Sequence, residues 1–267
     1  VYDPLHTDLE IIRVDARGNE ESWADMIRLQ EDGTYPAAFA RIPGPVLMLH
    51  GAFDPHPGRM IRDGLLPFIL QRMRQCQAAI EADPEYGRAY GALAYVLAWG
   101  HRRGWSDAPV ETIDRALELA RKAVALSPDI PQTHWALGYV HLMRREYAQA
   151  ENASAAALVV APNYADGYGL LALIKNARGD AQAAISLIRR GMQLNPYYTW
   201  DYPYNLGRAL YTQGHFDRAI EALEDARARN ENVIAIRLFL AASYVRAGRL
   251  DDAEWEVEEI QVLNPQE

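Results

Sequence analysis

The run Gly-Trp-Ser-Asp-Ala at residues 104–108 is the chain's nearest approach to a serine-nucleophile motif. Such a nucleophile needs glycine on both sides and a sharp strand-to-helix turn that exposes the hydroxyl. Here the run ends in alanine and lies between two predicted helices, so we predict no nucleophile at Ser106. Ser106 or Asp107 is expected instead to cap the following helix, since a short polar side chain can accept a free amide at a helix start.

Histidines supply two candidate metal sites. His50, Asp54 and His56 could crowd a cation near the N-terminus. A stable site also needs a further firm ligand and groups that hold the ligands in place. His134 and His141 share a helix face, but two helical turns separate them by about 10 Å. We therefore predict no metal and no cofactor, and we assign the helical histidines structural or solvent-facing roles.

Composition excludes several classes of protein. The 267 residues include 27 Lys+Arg and 36 Asp+Glu, and the net charge of -9 disfavours nonspecific binding to nucleic acid or to anionic membranes. No apolar run approaches the roughly 18 residues that span a bilayer.

The lone Cys76 cannot form an internal disulfide, so we predict a small buried residue and a reducing, cytoplasmic location. The chain begins with Val1 and without a signal peptide, which allows it to be a fragment of a longer protein.

A repeat of about 34 residues dominates the sequence and must position the side chains that lie within it. Small residues at 138, 172, 207 and 241 each follow a leucine, and their separations are 34, 35 and 34 residues. An alanine follows twelve residues later in every copy, at 150, 184, 219 and 253. This period is typical of stacked helical hairpins, in which the paired small residues let two helices approach closely.

Glycines and prolines predict where the helices end. Gly179, Gly214 and Gly248 lie between the two helices of their repeats, where positive φ is favoured, and Arg145 occupies the same position in the first clear copy. Prolines stop the second helices because they cannot continue the hydrogen-bond ladder. These stops are Asp83-Pro84, Ser127-Pro128, Pro162, Pro196 and Pro265, with Glu231 in the corresponding position of one copy.

The same spacing extends the array toward the N-terminus. Residues 86–99 and 110–126 are predicted to form the two helices of an earlier repeat, with a ten-residue insertion at 100–109. Residues 71–82 are predicted to close a preceding, incomplete repeat. The whole pattern resembles the tetratricopeptide repeat (TPR) and covers residues 71–267. The resemblance implies an all-α, right-handed solenoid of about four and a half TPR hairpins that holds other polypeptides. In finer detail, residues 104–107 and 131–140 are similar to repeats behind bacterial class III nucleotide cyclase domains, which implies a bacterial signalling context.

Residues 1–70 have a different pattern. Residues 9–14 and 45–49 are strand-like, whereas 21–29 and 59–70 are helix-like, so we predict a small partial α/β segment. Residues 45–58 resemble the late strand and turn of an α/β-hydrolase, which implies that Asp54 is the acid of a catalytic triad. The serine elbow and the later histidine turn of that family are absent from the sequence. We therefore predict no catalytic residue, because Asp54 lacks its partners.

The candidate binding surface is the concave face that the TPR resemblance implies. In that family the first helix of each repeat lines a groove, and fixed offsets from the Leu-Gly glycine point into it. Applied here, the offsets predict an aromatic groove with scattered Arg and Asn, residue types that often anchor interfaces. Asp166, Asp201, Leu142 and Leu173 are also placed there. The principal predicted groove residues are Arg88, Tyr95, Trp99, Trp135, Tyr139, Met143, Asn176, Tyr204, Arg208, Tyr211 and Arg246.

The last predicted helix carries an acidic run. Its members are expected to form a solvated face that caps the final repeat, and the alternative is a site for a basic partner. They are Asp251, Asp252, Glu254, Glu256, Glu258 and Glu259.

These observations predict a non-enzymatic scaffold that binds a protein or peptide, with homo-oligomerisation as an open possibility. Two alternatives remain at the level of sequence. The chain could be the regulatory or oligomerisation arm of a larger signalling enzyme such as a nucleotide cyclase. It could instead be an esterase-like hydrolase completed by sequence outside the chain.

Overall fold

A computed structural model of the chain describes residues 65–103, 106 and 108–263, and every regular element in those ranges is an α-helix. The predicted all-α class is confirmed there. The predicted α/β segment, including Asp54, lies outside the described residues except for its last six positions. The helices are α1 (Leu65–Ala82), α2 (Gly87–Arg102), α3 (Pro109–Leu126), α4 (Pro131–Met143), α5 (Tyr147–Val160), α6 (Ala165–Ala177), α7 (Ala181–Leu194), α8 (Asp201–Thr212), α9 (Phe216–Arg229), α10 (Ile234–Ala247) and α11 (Leu250–Leu263).

The helices pair into five successive antiparallel hairpins: α2 with α3, α4 with α5, α6 with α7, α8 with α9, and α10 with α11. Each hairpin packs on the next, and α1 packs on α2. The first helices of the hairpins (α2, α4, α6, α8 and α10) also contact one another, most extensively between α2 and α4 and least between α8 and α10. Contacts between neighbours are the defining property of a solenoid, so the predicted architecture is confirmed.

Close helix approach explains the repeated small residues. A Cβ atom added at Gly207 would lie 2.5 Å from Leu223 Cγ and 3.2 Å from the carbonyl oxygen of Ala219. A Cβ at Gly138 would lie 3.2 Å from the carbonyl oxygen of Ala150. Separations near 3 Å leave no room for a larger residue, so glycine allows the close approach of the two helices in the α4–α5 and α8–α9 hairpins.

The turns within the hairpins use left-handed backbone conformation, as predicted. Gly179, Gly214 and Gly248 have φ values of 84°, 76° and 77°. Arg145 adopts a φ of 61° at the equivalent position of the α4–α5 turn, and it is the only non-glycine residue with positive φ in the described ranges. Glycine adopts this conformation without a steric penalty, whereas a residue with a Cβ atom, such as Arg145, adopts it at a steric cost.

Prolines end the helices as expected. Four helices stop two residues before a proline, namely Pro84, Pro128, Pro162 and Pro196. Helix α9 has no such proline, and the side chain of Asn230 accepts the backbone N–H of Asn232 at 3.3 Å instead. This local hydrogen bond competes with helix continuation. Pro265 lies outside the described residues.

Two helices are longer than predicted. Helix α1 begins at Leu65, so the predicted domain boundary at residue 70 falls inside a continuous helix. Pro67 is compatible with this start because the first helical turn needs no donor from its N–H. Helix α2 continues to Arg102, three residues beyond the predicted end, because nothing in the first part of the insertion interrupts the backbone ladder.

The prediction that Ser106 caps the next helix is wrong. Ala108 is the residue at the N-cap of α3, and Pro109 follows at the first helical position. The Ser106 hydroxyl accepts the Ala108 N–H at 3.1 Å and hydrogen-bonds to the Thr112 hydroxyl at 2.5 Å. Proline needs no N–H partner at this position, so Ser106 stabilises the turn that precedes the helix. Asp107 lies outside the described residues.

One member of the acidic run is buried, which corrects the prediction of a uniformly solvated face. Glu256 is 0% exposed, and its carboxylate accepts hydrogen bonds from Arg227 and, at 2.9 Å, from Arg237. Both guanidinium groups also lie over the Trp255 ring, at 5.0 and 5.4 Å. Glu256 stands three residues after the buried Ala253, on the same helix face, so it enters the hairpin interior.

Candidate functional site

An aromatic cluster joins the first two hairpins. Tyr95 of α2 contacts Trp135 and Tyr139 of α4, with ring centroids 5.2 and 4.9 Å apart. Trp135 and Tyr139 stack on each other at 5.5 Å. The Trp135 indole N–H donates a hydrogen bond of 3.0 Å to the backbone carbonyl of Asp166 in α6. The structure thus brings predicted groove residues from three consecutive first helices together.

Two of the predicted groove aromatics face the interior. Tyr139 is 4% exposed and Trp99 is 8% exposed, and both belong to the hydrophobic core of the first hairpins. The Arg103 guanidinium lies 4.9 Å above the Trp99 ring. Tyr95 and Trp135 are only partly buried. Among these aromatic residues, therefore, Tyr95 and Trp135 keep part of their surface exposed, whereas Tyr139 and Trp99 are buried.

A second aromatic cluster joins the last two hairpins. Phe239 of α10 packs edge-on against Tyr204 and Tyr211 of α8, each at 5.9 Å. The Arg208 guanidinium lies 5.5 Å from the centroids of both Tyr204 and Phe239. Tyr211 also meets Phe216 edge-on at 5.6 Å. Aromatic rings in such edge-to-face contacts are held in fixed orientations, which prepares them for contact with a partner.

Other predicted groove residues have local partners. The Asn176 side-chain amide donates to the backbone carbonyl of Asn205 at 3.0 Å, so it ties α6 to α8. Met143 is partly buried beside the core of the first hairpins. Arg246 is exposed and lies 4.5 Å above the Phe216 ring. Of these three side chains, Arg246 is the one that extends into solvent.

Two carboxylates line the middle of the predicted groove. The Tyr202 hydroxyl donates to Asp166 Oδ1 at 3.1 Å, and the Thr199 hydroxyl donates to Asp201. Burial raises the pKa of Asp201 from 3.8 to about 6, the hydrogen bond from Thr199 opposes this shift, and the negative charge of Asp166 adds to it. Like charges in a partly desolvated site favour the protonated form of one of them.

Charged side chains from different hairpins influence the pKa values of the predicted groove tyrosines. Burial raises the pKa of Tyr95, the charge of Asp201 in α8 raises it further, and the positive charges of Arg102 and Arg103 oppose the shift. Burial also raises the pKa of Tyr204 in α8, and the charges of Arg208 and Arg102 oppose that shift. Arg102 therefore acts on side chains from two distant parts of the solenoid.

Several buried polar atoms have no hydrogen-bond partner within the described ranges. Arg88 Nε, Tyr95 Oη and Arg208 Nε belong to predicted groove residues, and His101 Nδ1 belongs to the last turn of α2. Buried donors are nearly always satisfied in folded proteins, so these atoms mark places where a bound group could complete the hydrogen bonding. The arginine nitrogens can only donate, which means that the missing groups are acceptors.

Sequence reasoning missed three contributors to this surface. Arg102 and Arg103 lie in the insertion, where the offsets of the repeat do not apply. The indication of these two residues in the sequence is that consecutive arginines follow the predicted helix 86–99. Phe239 lies one position before Leu240, outside the predicted offsets, yet it joins Tyr204 to Tyr211.

The candidates for chemistry have structural partners or fall outside the described residues. His141 is 7% exposed, and its Nδ1 atom lies 2.6 Å from a carboxylate oxygen of Glu146. The Cys76 side chain is buried as predicted, and burial raises the pKa of its thiol to about 11. Within the described ranges, no three His, Cys, Asp or Glu side chains are grouped so that they could bind a metal ion. His50, Asp54 and His56 lie outside those ranges.

Comparison with known families identifies the hairpins. Residues 111–167 and 204–266 match the tetratricopeptide repeat family. The described solenoid has the fold of tetratricopeptide hairpins, and the matched segments cover less than half of the chain. The matched segments fall in the region where the TPR spacing of leucine, small residue and alanine is regular. No curated protein gives a significant match to the chain.

Solved structures share the TPR fold. The crystal structure of the APC/C hetero-tetramer Cut9–Hcn1 aligns with a TM-score of 0.66 at 18% identity, over 76% of this chain and 38% of that chain. A human IFIT1 dimer with m7Gppp-AAAA aligns with a TM-score of 0.62 at 18% identity, over 72% and 46% of the two chains. A crystal structure of MamA aligns with a TM-score of 0.50 at 24% identity, over 57% and 89%. This chain therefore spans less than half of the first two proteins, and the similarity establishes the fold alone.

None of the helices in the described ranges has both the length and the apolar character required to cross a membrane.

Proposed function

We propose that the chain is a non-catalytic scaffold whose TPR groove binds a segment of a partner protein. The observation that carries the proposal is the pair of aromatic clusters on the first helices, accompanied by buried donor atoms that lack acceptors. Partly buried aromatic rings and arginines are the side chains that most often dominate binding energy at protein interfaces. Arg88 Nε and Arg208 Nε, on the same helices, are buried donors with no acceptor among the residues that the structure describes.

The charge of the chain supports a polypeptide partner over nucleic acid. The net charge of -9 repels a phosphate backbone, and Asp166 and Asp201 lie in the middle of the predicted groove. A polypeptide segment carries neutral backbone donors and acceptors as well as side chains of either sign, so it can match a groove of mixed charge. A segment of another protein and a segment of a longer form of this protein would present the same chemistry to the groove.

The non-catalytic part of the proposal rests on the best nucleophile candidate in the described ranges. The Ser106 hydroxyl is engaged by the Ala108 N–H and by Thr112, and neither partner is a base. A serine nucleophile needs an adjacent general base to remove its proton. The lone thiol, Cys76, is buried, and its raised pKa disfavours the reactive thiolate.

Loss of the two aromatic anchors tests the function. Trp135→Ala combined with Tyr204→Ala should abolish capture of the native partner from cell lysate, because few residues usually carry most of the binding energy. Far-UV circular dichroism should show that helicity is retained. The matched control is Glu254→Ala combined with Glu258→Ala, two exposed residues of α11, which should leave capture intact apart from salt-sensitive steering.

A photo-crosslinking experiment tests the same point without removing core atoms. A photoreactive phenylalanine analogue at Tyr211, on the second aromatic cluster, should crosslink the captured partner. The same analogue at Tyr197, which is 70% exposed between α7 and α8, should not. Crosslinks from position 197 alone, together with loss of the partner only in the acidic double variant, would move the binding site away from the groove.

A further inference from the structure

A small cleft lies at the C-terminal ends of three first helices, α2, α4 and α6. Its volume is about 240 Å³, and it is lined by Arg102, Leu142, Met143, Arg145, Tyr147, Leu173 and Ala177. Sites that take drug-sized molecules measure roughly 300–1,000 Å³. The cleft is smaller than these, so it fits an individual side chain of a bound polypeptide better than a free metabolite.

The lining of the cleft divides into an apolar floor and two cationic side chains. Leu142 is 7% exposed, and Met143 and Leu173 are partly buried beside it. Arg102 and Arg145 also line the cleft, and none of the described residues in its lining carries a carboxylate. Arg103 follows Arg102 in the chain, and the pKa of Arg103 is lowered by burial and by the positive charge of Arg102. The chain as a whole carries a net charge of -9, so this concentration of positive charge is local.

The backbone at Arg145 gives an independent indication that the side chain is needed. Three equivalent turns use glycine, whereas Arg145 holds a φ of 61°. Left-handed conformation in a residue with a Cβ atom is strained, and such strain often accompanies a functional requirement. A guanidinium group in the lining of the cleft is what distinguishes Arg145 from the glycines of the other turns.

A purely structural role explains the presence of Arg102 but not that of Arg145. Arg102 ends α2, where a positive charge complements the partial negative charge of the helix C-terminus. Arg145 lies beyond the end of α4, in the turn, and its neighbour Arg144 already forms ion pairs with Asp114 and Glu146 there. The turn therefore has its structural cation without Arg145.

We propose that the cleft accepts an acidic residue of the partner segment next to a large apolar residue. The apolar side chain packs on Leu142, Met143 and Leu173, and the neighbouring Asp or Glu carboxylate pairs with Arg145 and with the Arg102 guanidinium, which also hydrogen-bonds to Tyr139 of the first aromatic cluster. Arginine is well suited to this task because its planar guanidinium carries five N–H donors, so it can hold one partner and still bind a carboxylate. This inference rests on the proposed protein-binding function of the groove and specifies the chemistry of its partner.

A random peptide library tests the proposal on the full chain. Phage-displayed short peptides are selected against the protein, and the retained sequences should be enriched in Asp or Glu adjacent to Leu, Ile, Phe or Met. An enriched peptide is then synthesised with both ends capped, so that no terminal carboxylate contributes. Replacing its acidic residue by the matching amide should weaken binding by about tenfold or more, because a charge-assisted hydrogen bond is lost.

The protein variants are chosen so that folding is preserved. Arg145→Gly removes the guanidinium and also relieves the backbone, so its melting temperature should be no lower than that of the parent. Its affinity for the acidic peptide should fall by about tenfold or more. Combining Arg145→Gly with the amide peptide should add little further loss, since both changes remove the same contact. Arg190→Gln, on the exposed face of α7, removes the same single charge, so it is the charge-matched control and should bind like the parent.

The outcomes separate the two proposals. Two results would refute the proposal that the partner is acidic and leave the groove proposal intact. Either the selected groove-dependent peptides are neutral or basic, or acidic peptides bind Arg145→Gly as tightly as they bind the parent. Selected peptides whose binding survives Trp135→Ala with Tyr204→Ala would refute the groove itself, and this inference with it.

Discussion

At the scale of single residues, two glycines of similar helical geometry have opposite roles. Gly207 in α8 faces Leu223 and the carbonyl oxygen of Ala219 at separations that exclude a side chain. Around Gly100 in α2, no described residue outside its own helical turn places an atom within 4 Å of the position that a Cβ would occupy. Both lie inside helices, so their intrinsic effect on helix stability is the same. Only the surroundings distinguish them.

We therefore expect Gly207→Leu to lower the free energy of unfolding by about 1–3 kcal/mol, because the added atoms force α8 away from α9. Gly100→Ala should raise it by up to about 1 kcal/mol, because alanine favours the helix and nothing opposes its methyl group. Thermal melts followed by circular dichroism measure both changes. Equal melting temperatures for Gly207→Leu and the parent would mean that the two helices do not cross at residue 207.

At the scale of helices, α11 shows where a charge pattern misleads. Its six acidic residues suggest a solvated face, but Glu256 alone turns into the hairpin and pairs with Arg227 and Arg237. The side chain of Arg237 is 6% exposed and also reaches Glu259 at 3.3 Å. Removing one member of a buried ion pair leaves the other charged and desolvated, which is more destabilising than loss of an exposed pair.

Glu256→Ala should therefore destabilise the α10–α11 hairpin by about 3–5 kcal/mol. Hydrogen exchange would show the loss as reduced amide protection in α10 and α11, with the first hairpins unchanged. Glu258→Ala, two residues away on the exposed side, should change stability by no more than about 0.5 kcal/mol. Comparable protection in the two variants would show that the Glu256 carboxylate is solvated after all.

Helix positions could be predicted from sequence because each repeat is specified locally. The glycine turns, the proline stops and the paired small residues all act within one hairpin, and they fix its two helices without knowledge of the rest. The partners of Glu256 could not be predicted in the same way, since Arg227 and Arg237 lie in other helices. The burial of Tyr139 could not be predicted either, because its exposure depends on how closely α2 and α4 pack. Arg102 was missed because the insertion displaces it from the repeat pattern.

At the scale of the whole molecule, the concave side couples acidic groups from separate hairpins. Asp166 lies in α6 and Asp201 in α8, and each influences the ionisation of tyrosines elsewhere on the first helices. The pKa of Asp201 is about 6 in the folded protein against an ordinary value of 3.8. Ionised Asp201 is thus less favourable in the folded state than in the unfolded state. Its destabilising contribution is absent below the unfolded pKa, grows as the pH rises from about 4 to 6, and is complete above the folded pKa.

Asp201→Asn should consequently stabilise the solenoid at pH 7, by up to about 3 kcal/mol, since an amide keeps the acceptor for Thr199 without the charge. The difference in unfolding free energy from the parent should shrink toward zero as the pH falls to about 4. Urea denaturation at several pH values measures it. Glu221→Gln, on the exposed side of α9, is the control and should give no such trend. A constant difference across this range would show that the carboxylate of Asp201 is not desolvated by folding.

Packing between successive hairpins is uneven along the solenoid. Among the first helices, contact between α2 and α4 is the most extensive, and contact between α8 and α10 is the least. The second helices differ in the opposite sense, because α9 packs on α10 more extensively than any other second helix packs on the hairpin that follows it. The last two hairpins are therefore joined mainly through the α9–α10 contact. A partner that spread α8 from α10 would turn the final hairpin about that contact, as a door turns about its hinge.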